Sequence, residues 1–371
     1  MNTQLIGADA YSAALSLSDL TDPVYGLHAL QPLLRSVIEQ IQQAWGCALI
    51  VHRGERVVST ADNYDLLGYT PDAAARDARY SRYVSPTSVL RTHTSALIPG
   101  LLRSLAPSPR GDLLLACPGV VYRRDVIDRL HVGEPHQLDL WRIRQGALGE
   151  RDLSEMIERV VQALLPGATY RTHPAAHPYT EHGLEVEVKQ GERWVELLEC
   201  GLAAPAVLEQ ARITPERYRG LAMGIGLDRA LMLRKEIDDI RLLRSSDERV
   251  AAQMRDLDIY RPVSSMPPIR RDLSIAVEEE TTVEQLGDRV RSALGSQADA
   301  VELIDAVSET PINQLPPQAI ARIGMSQGQK NVLLKVVLRH PTCTLTSEEA
   351  NRLRNDIYAA LHEGTNHQWA G

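Results

Sequence analysis

At 371 residues the chain is long enough for a sizeable core and for two or three domains rather than one. Its net charge of −8 excludes a protein that coats nucleic acid through bulk charge, although a local basic face stays compatible with RNA. No apolar run approaches a membrane span, Met1-Asn2-Thr3-Gln4 lacks the basic and apolar regions of an export signal, and Cys47, Cys117, Cys200 and Cys343 show no CxxC spacing, so the expectation is a cytoplasmic protein with buried thiols and neither disulfides nor zinc.

In chain order, Tyr11 to Ala44 predicts helices, broken and capped at Asp19 and Thr21-Asp22-Pro23, with Leu30, Leu33, Leu34, Val37, Ile38 and Ile41 at helical spacing. Cys47 to Val51 reads as a buried strand, and Val57-Val58 as a continuation of its sheet. The polar, tyrosine-rich stretch from Asp62 to Tyr83 reads as a surface segment. Leu97, Leu101, Leu102 and Leu105 predict a helix with His93 and Ser95 at its N-terminus, an end that suits anions and polar ligands; Thr94 or Ser95 as a simple N-cap fits the same pattern.

The segment Cys117 to Ile143 concentrates arginines, carboxylates and histidines in two strands joined by a polar loop. Val120-Val121-Tyr122 runs into Arg123-Arg124-Asp125, and Gln137-Leu138-Asp139-Leu140-Trp141 alternates with a period of two. An arginine fork matches two phosphate oxygens at once, so the hairpin reads as a nucleotide site; a solvated hairpin with surface ion pairs accounts for the pattern equally well. Leu153 to Leu165 predicts an amphipathic helix closed by Pro166-Gly167. Leu184 to Val188 and Trp194 to Leu198 predict strands that place acids among apolar residues. Gly220 to Arg234 combines glycines, which let backbone lie close to a ligand, with a following helix that carries Arg229. After the proline- and serine-rich linker Arg261 to Pro268, the order is strand (Arg271–Val277), helix (Thr282–Leu294), strand (Ala300–Ala306), an inserted loop with a short helix (Pro311–Lys330), strand (Asn331–Leu338), helix (Ser347–Leu361) and a short strand in the tail. That βαββαβ order is ferredoxin-like, a fold that hosts many functions.

Taken together, Ala75-Arg76-Asp77, Leu90 to Ala96, the Arg123 hairpin, His177-Pro178-Tyr179-Thr180-Glu181, Trp194-Val195-Glu196 with Cys200-Gly201, and Gly224 to Arg229 resemble, in the same order, the motifs of class II aminoacyl-tRNA synthetases of the phenylalanyl type. The resemblance runs from about Pro23 to the C-terminus. It implies an α+β fold: a helical segment at 1–45 with a motif-1-like helix, an antiparallel-sheet catalytic domain at 46–258, and a ferredoxin-like anticodon-binding domain at 259–371. It further implies ATP-dependent amino-acid activation with Mg2+ and transfer to tRNA, by a monomer or homodimer; a paralogue serving another acceptor, or a regulatory binding protein, is the alternative.

Residue by residue, the resemblance gives Arg123 and Arg229 the catalytic roles, and assigns ATP to Arg123, Asp125, His131, Gly224, Gly226 and Arg229. It assigns the amino acid to His93, Ser95, Gln137, Asp139, His177, Tyr179, Glu199, Ala222 and Gly224, and the metal to Glu181 and Glu196. Three features depart from the family. His177 and Tyr179 replace two phenylalanines, Glu199 replaces a small glycine, and Leu97-Ile98-Pro99 stands where a glutamine is usual. Each of the first two changes brings hydrogen-bonding groups, so the expected pocket is not a standard phenylalanine pocket.

The chain contains no phenylalanine at all. A message without phenylalanine codons is translated when charged phenylalanine tRNA is scarce, which reads the absence as a selected feature; the competing explanation is that each replacement was tuned locally, as at His177, and the zero is their accidental sum. In cells starved of phenylalanine, synthesis of this protein should persist while a control of similar length and ordinary composition stops; equal collapse of both, followed by pulse labelling, would dismiss the idea.

Overall fold

The computed structural model describes residues 5–263 and 267–367. Ser264-Ser265-Met266 of the linker and the terminal residues 368–371, where part of the expected tail strand falls, lie outside it. Strands are β1 (Ala48–Val51), β2 (Val57–Ser59), β3 (Tyr83–Ser85), β4 (Ser88–Leu90), β5 (Asp112–Val120), β6 (His136–Gln145), β7 (Tyr170–Pro174), β8 (Thr180–Gln190), β9 (Arg193–Ala203), β10 (Tyr218–Gly226), β11 (Ile269–Glu278), β12 (Val301–Pro311) and β13 (Gln329–Leu338).

The chain packs as two units, each interleaved in sequence. The first comprises 1–123, 134–237 and 252–260; the second comprises 124–133, 238–251 and 261–371. In the first, seven strands form one sheet in the order β1-β5-β6-β10-β9-β8-β7, antiparallel except for the β1–β5 pair. The Leu30–Trp45 helix buries the apolar stripe Leu30, Leu33, Leu34, Val37, Ile38 and Ile41, each such side chain contributing about 1.5–3 kcal/mol, and it ends on Gly46 in the left-handed region. It packs with the Glu150–Leu164 helix, whose buried face is Leu153, Met156, Ile157, Val160, Val161 and Leu164.

Three sequence expectations fail here. The strand read as buried forms as β1, but at the edge of the sheet with Ala48 and Val51 exposed. β2 does not continue the large sheet but pairs with β4, which pairs with β3, in a separate three-stranded sheet. The 62–83 stretch is a surface segment only in its middle, where Gly68, Thr70, Pro71, Asp72, Ala74 and Ala75 are exposed, and its two ends go inside. Asn63, Tyr64, Leu67, Ser81, Arg82 and Tyr83 are buried, the Tyr64 hydroxyl lies 2.6 Å from Ser81 Oγ, the Tyr83 hydroxyl donates to the Arg76 carbonyl at 2.6 Å, and Asn63 Nδ2 donates to Thr92 Oγ1 at 2.8 Å. Polar atoms with partners cost little to bury, so a polar composition does not keep a segment outside. Of the four thiols, Cys47, Cys117 and Cys200 are buried, whereas Cys343 is exposed.

In the second unit, the antiparallel sheet β11-β13-β12 is backed by helices Val283–Leu294 and Ser347–Leu361, each begun by a capping box, at Thr282 with Gln285 and at Thr346 with Glu349. The inserted loop carries the short helix Pro317–Ile323. Among the described residues the tail forms no strand, although Glu363 N donates to the Ala276 carbonyl of β11 at 2.8 Å. The stretch 124–133, which joins β5 to β6, belongs to this unit by its packing. Ile127 sits in its apolar core and accepts from Ile304 N at 3.0 Å, Arg124 pairs with Asp288 at 2.7 Å, and Arg291 donates to the Asp125 carbonyl at 2.6 Å.

At the end of β5, Gly119 has φ +151°, and a Cβ there would overlap the Arg91 guanidinium, which is itself buried and held by the carbonyls of Val120 at 2.9 Å and Arg53 at 2.6 Å. Gly119→Ala should therefore lower stability by about 1–3 kcal/mol, read as a denaturant midpoint shift at unchanged slope.

Candidate functional site

Pairing register places side chains in rows across one face of the large sheet, because directly opposed residues on neighbouring strands point the same way. One row runs Cys117 (β5), Asp139 (β6), Gly224 (β10), Glu199 (β9); the next runs Leu115, Trp141, Ala222, Gly201. Gly224 and Gly226 have nothing within 4 Å of an added Cβ, so open space lies over β10. Gly201 differs: Thr180 already occupies the place of its side chain. The row thus has an open floor at Gly224, flanked by two carboxylates about 10 Å apart, two strand spacings.

Asp139 forms one flank. Its carboxylate accepts from Thr94 Oγ1 at 2.8 Å and Ser95 Oγ at 2.8 Å, with Trp141 Nε1 at 3.4 Å. Burial nevertheless outweighs these donors and the Arg123 charge, and pushes its pKa up to about 6. Both hydroxyls at the start of the 3-10 turn Thr94–Leu97 are spent on Asp139, and neither caps the helix that follows. Gln137, the neighbouring position on this face, accepts from Thr94 N through Oε1 at 3.4 Å.

His93 precedes that turn. Neither of its ring nitrogens, both buried, makes a hydrogen bond of good geometry among the described residues. Burial, and then the Arg123 charge, lower its pKa to about 3, so the imidazole is neutral at working pH. Tyr69 stacks on it at 5.8 Å between ring centroids and 27° between planes. A chain of rings continues from there: Tyr69 to Tyr179 at 6.4 Å, Tyr179 to Trp141 at 6.2 Å and to His177 at 5.8 Å. Burial drives the Tyr69 phenol up to about 12 and that of Tyr179 well above its ordinary value, so both stay neutral.

The other flank is an ion pair. His177 Nε2 lies 3.1 Å from Glu199 Oε2; the hydrogen bond raises the His177 pKa and lowers that of Glu199, so each partner's shift favours the charged pair. The second Glu199 oxygen has no hydrogen-bond partner among the described residues.

Arg123, one residue past buried Tyr122, donates from Nε to the Thr92 carbonyl at 2.8 Å, while its two terminal nitrogens carry no partner among the described residues. Its charge acts on His93, Asp139, Tyr69 and Glu199. Arg229, on the Leu227–Lys235 helix, pairs with Glu196 at 3.2 Å. Asp125 and His131 lie in the 124–133 stretch that packs with the second unit, where His131 Nδ1 meets Asp128 at 2.8 Å and Asp125 accepts from Val126 N at 2.9 Å. Nor do Glu181 and Glu196 converge. Glu181 pairs with Leu202 and Glu187 with Glu196, so the two acids are six positions of β9 apart, about 20 Å, too far to share an ion. Among the described residues no group of three His, Cys, Asp or Glu could hold a metal ion.

Sequence reading missed Tyr69, hidden in a stretch taken for surface, and the pair His136–Asp228. His136 is fully buried; its Nδ1 lies 2.9 Å from Asp228 Oδ1, its backbone N donates to Asp228 Oδ2 at 2.6 Å, and Leu20 N donates to its Nε2 at 3.1 Å. Asp228 precedes Arg229, so this pair ties the start of β6 to the helix that carries the second arginine. No local signal marks it, since the partners are 92 residues apart.

Residues 23–254 match the family described as tRNA synthetases class II core domain (F), and 264–369 match the ferredoxin-fold anticodon binding domain. The chain is 33% identical over 237 residues to the phenylalanine–tRNA ligase alpha subunit of Prochlorococcus marinus (strain NATL2A), covering 63% of this chain and 69% of the relative. With the chloroplastic/mitochondrial phenylalanine–tRNA ligase of Arabidopsis thaliana it shares 28% identity over 315 residues, 81% of this chain and 68% of the relative. A pyrrolysyl tRNA synthetase of Desulfitobacterium hafniense superposes with a TM-score of 0.45 at 18% identity, over 63% of this chain and 78% of that one.

Removing the Asp228 carboxylate strands two buried groups of His136. Asp228→Ala should cost on the order of 3 kcal/mol in thermal or chemical unfolding, and Asp228→Asn, which keeps one acceptor, clearly less.

Proposed function

We propose that this chain, which belongs to the class II aminoacyl-tRNA synthetases of the phenylalanyl type and is a ligase of that kind, activates an amino acid in the pocket over Gly224 and passes it to tRNA. The observation that carries the reading is the unpaired Arg123 fork acting on the same buried space as Asp139. The amino-acid carboxylate attacks the α-phosphorus of ATP, a C–O–P bond forms, the bond to the β-phosphate oxygen breaks, and pyrophosphate leaves. An oxygen of the tRNA 3′-terminal ribose then takes the acyl group and AMP departs.

In this reading the protein does no covalent chemistry. It positions the reactants and neutralises charge. Arg123 offers parallel donors to the α-phosphate, and Arg229, held by Glu196, bounds the other side of the nucleotide. Gly224 and Gly226 leave room for the ligand to lie against backbone. Asp139 receives the substrate ammonium, with Ser95, Gln137 and neutral His93 as neighbours. Mg2+ belongs to the chemistry of the family, but Glu181 and Glu196 do not fit a shared ion here, so no step is routed through it. The ferredoxin-fold domain favours tRNA over another acceptor; charging of total tRNA tests this directly, and activation without charging would favour the paralogue reading.

The pocket itself is proposed to differ from that of a phenylalanine enzyme, since the Glu199–His177 pair stands at the end of the row where a hydrocarbon ring edge needs an apolar wall. Ala222, in the next row, and Tyr179 bound the same space.

Two outcomes follow. Arg123→Ala should lower ATP–pyrophosphate exchange by roughly a hundredfold, about 3 kcal/mol; parental activity in that variant would sink the assignment. Only ionised Asp139 pairs with an ammonium, so the KM for the amino acid should rise about tenfold per pH unit below about 6, while a flat profile between pH 5 and 8 would remove Asp139 from this role.

A further inference from the structure

The row Asp139–Gly224–Glu199 specifies more than an altered pocket. It has two ends of different chemistry and a floor that holds no side chain. One end is a carboxylate lodged among hydroxyls, suited to an ammonium. The walls are rings, Tyr69, Tyr179 and Trp141, linked by one tilted and one stacked contact. Across the floor, about 10 Å away, stands Glu199, with one oxygen on His177 and the other unpartnered. That span is the reach of an aromatic amino acid laid from its ammonium to the far edge of its ring.

A plain phenyl edge set against that oxygen would strip water from a carboxylate and return nothing, which is costly in a partly buried site. A donor on the ring edge would complete the hydrogen bonding of Glu199 while His177 continues to hold the other oxygen. We infer that the pocket takes an aromatic amino acid whose ring carries a hydrogen-bond donor, a hydroxyl or an ammonium group, directed at Glu199. This rests on the activation reading above for its biological use, but the binding specificity stands apart from it.

Composition points the same way. A chain without phenylalanine is built correctly whatever is loaded on the phenylalanine tRNA, which is the property required of an enzyme that handles a close relative of phenylalanine.

The test is calorimetric titration of the full chain with phenylalanine, tyrosine, meta-tyrosine and 4-(aminomethyl)phenylalanine, in parallel with ATP–pyrophosphate exchange on the same set. At least one donor-bearing ring should bind roughly a hundredfold or more tighter than phenylalanine, because a phenyl edge would strip water from the half-exposed Glu199 carboxylate without replacing the lost hydrogen bond. Glu199→Gly should erase that preference and bring phenylalanine to parity or better. Glu199→Gln keeps the shape if the glycine variant does not fold: a hydroxyl retains an acceptor and loses little, whereas an ammonium loses its counter-charge and binds weakly. Phenylalanine binding as tightly as the best donor-bearing ring, no binding by any of the four, or an unchanged preference in both variants would each overturn the inference. A donor-bearing ring that binds but supports no exchange would instead overturn the activation reading and leave the pocket specificity standing.

Discussion

Asp139 is a carboxylate kept in a place where burial opposes its charge, and the remainder of the site is arranged around that conflict. Thr94 and Ser95 turn their hydroxyls inward to it, although both occupy the beginning of a helix where capping would be their ordinary use. Trp141, two positions along the same strand and on the same face, adds its indole and builds the wall against Tyr179. Even so the carboxyl stays well above the usual range. A group left short of stabilisation in the empty site gains most when a cation arrives, and this converts poor solvation into affinity.

The arginines divide according to whether the fold consumes their donors. Arg142 is locked to Asp112 by two bonds of 2.9 and 2.6 Å and lies over the Trp45 ring at 3.8 Å; Arg91 is buried on backbone carbonyls. These side chains are part of the core, and their charges are spent. Arg123 is fixed through Nε alone, so its orientation is set while its fork is left over. A preorganised donor pair with no internal use costs no rearrangement when a phosphate is bound. Arg229 stands between these cases, its geometry held by Glu196 but at a partly exposed pair that a ligand can compete with.

Much of the architecture was legible because periodicity reports burial directly. The stripe Leu30 to Ile41, the strand through Gln137 to Trp141, the capping residues Thr282 and Thr346 and the order of strands and helices in the last third as far as Leu361 correspond to what forms. Tyr69 was missed for the converse reason. Its neighbourhood is rich in hydroxyls and acids, and the partners that take the ends of the segment inside, Ser81 for Tyr64 and Thr92 for Asn63, lie too far along the chain to be read locally. The assignment of β2 to the main sheet failed similarly, since a two-residue apolar run carries no information about which strand it will pair with.

By itself the sequence determined the family and the two kinds of domain, because motifs and periodicities are local and survive without coordinates. The tertiary structure alone decided which of those residues meet. It put Glu199 opposite Gly224 and two strands from Asp139, joined His136 to Asp228, separated Glu181 from Glu196, and gave Asp125 and His131 to the second packing unit. Strand register is the physical reason: a shift of one residue reverses every side chain in a row, and register is set by the summed packing of all strands rather than by any segment that could be read alone.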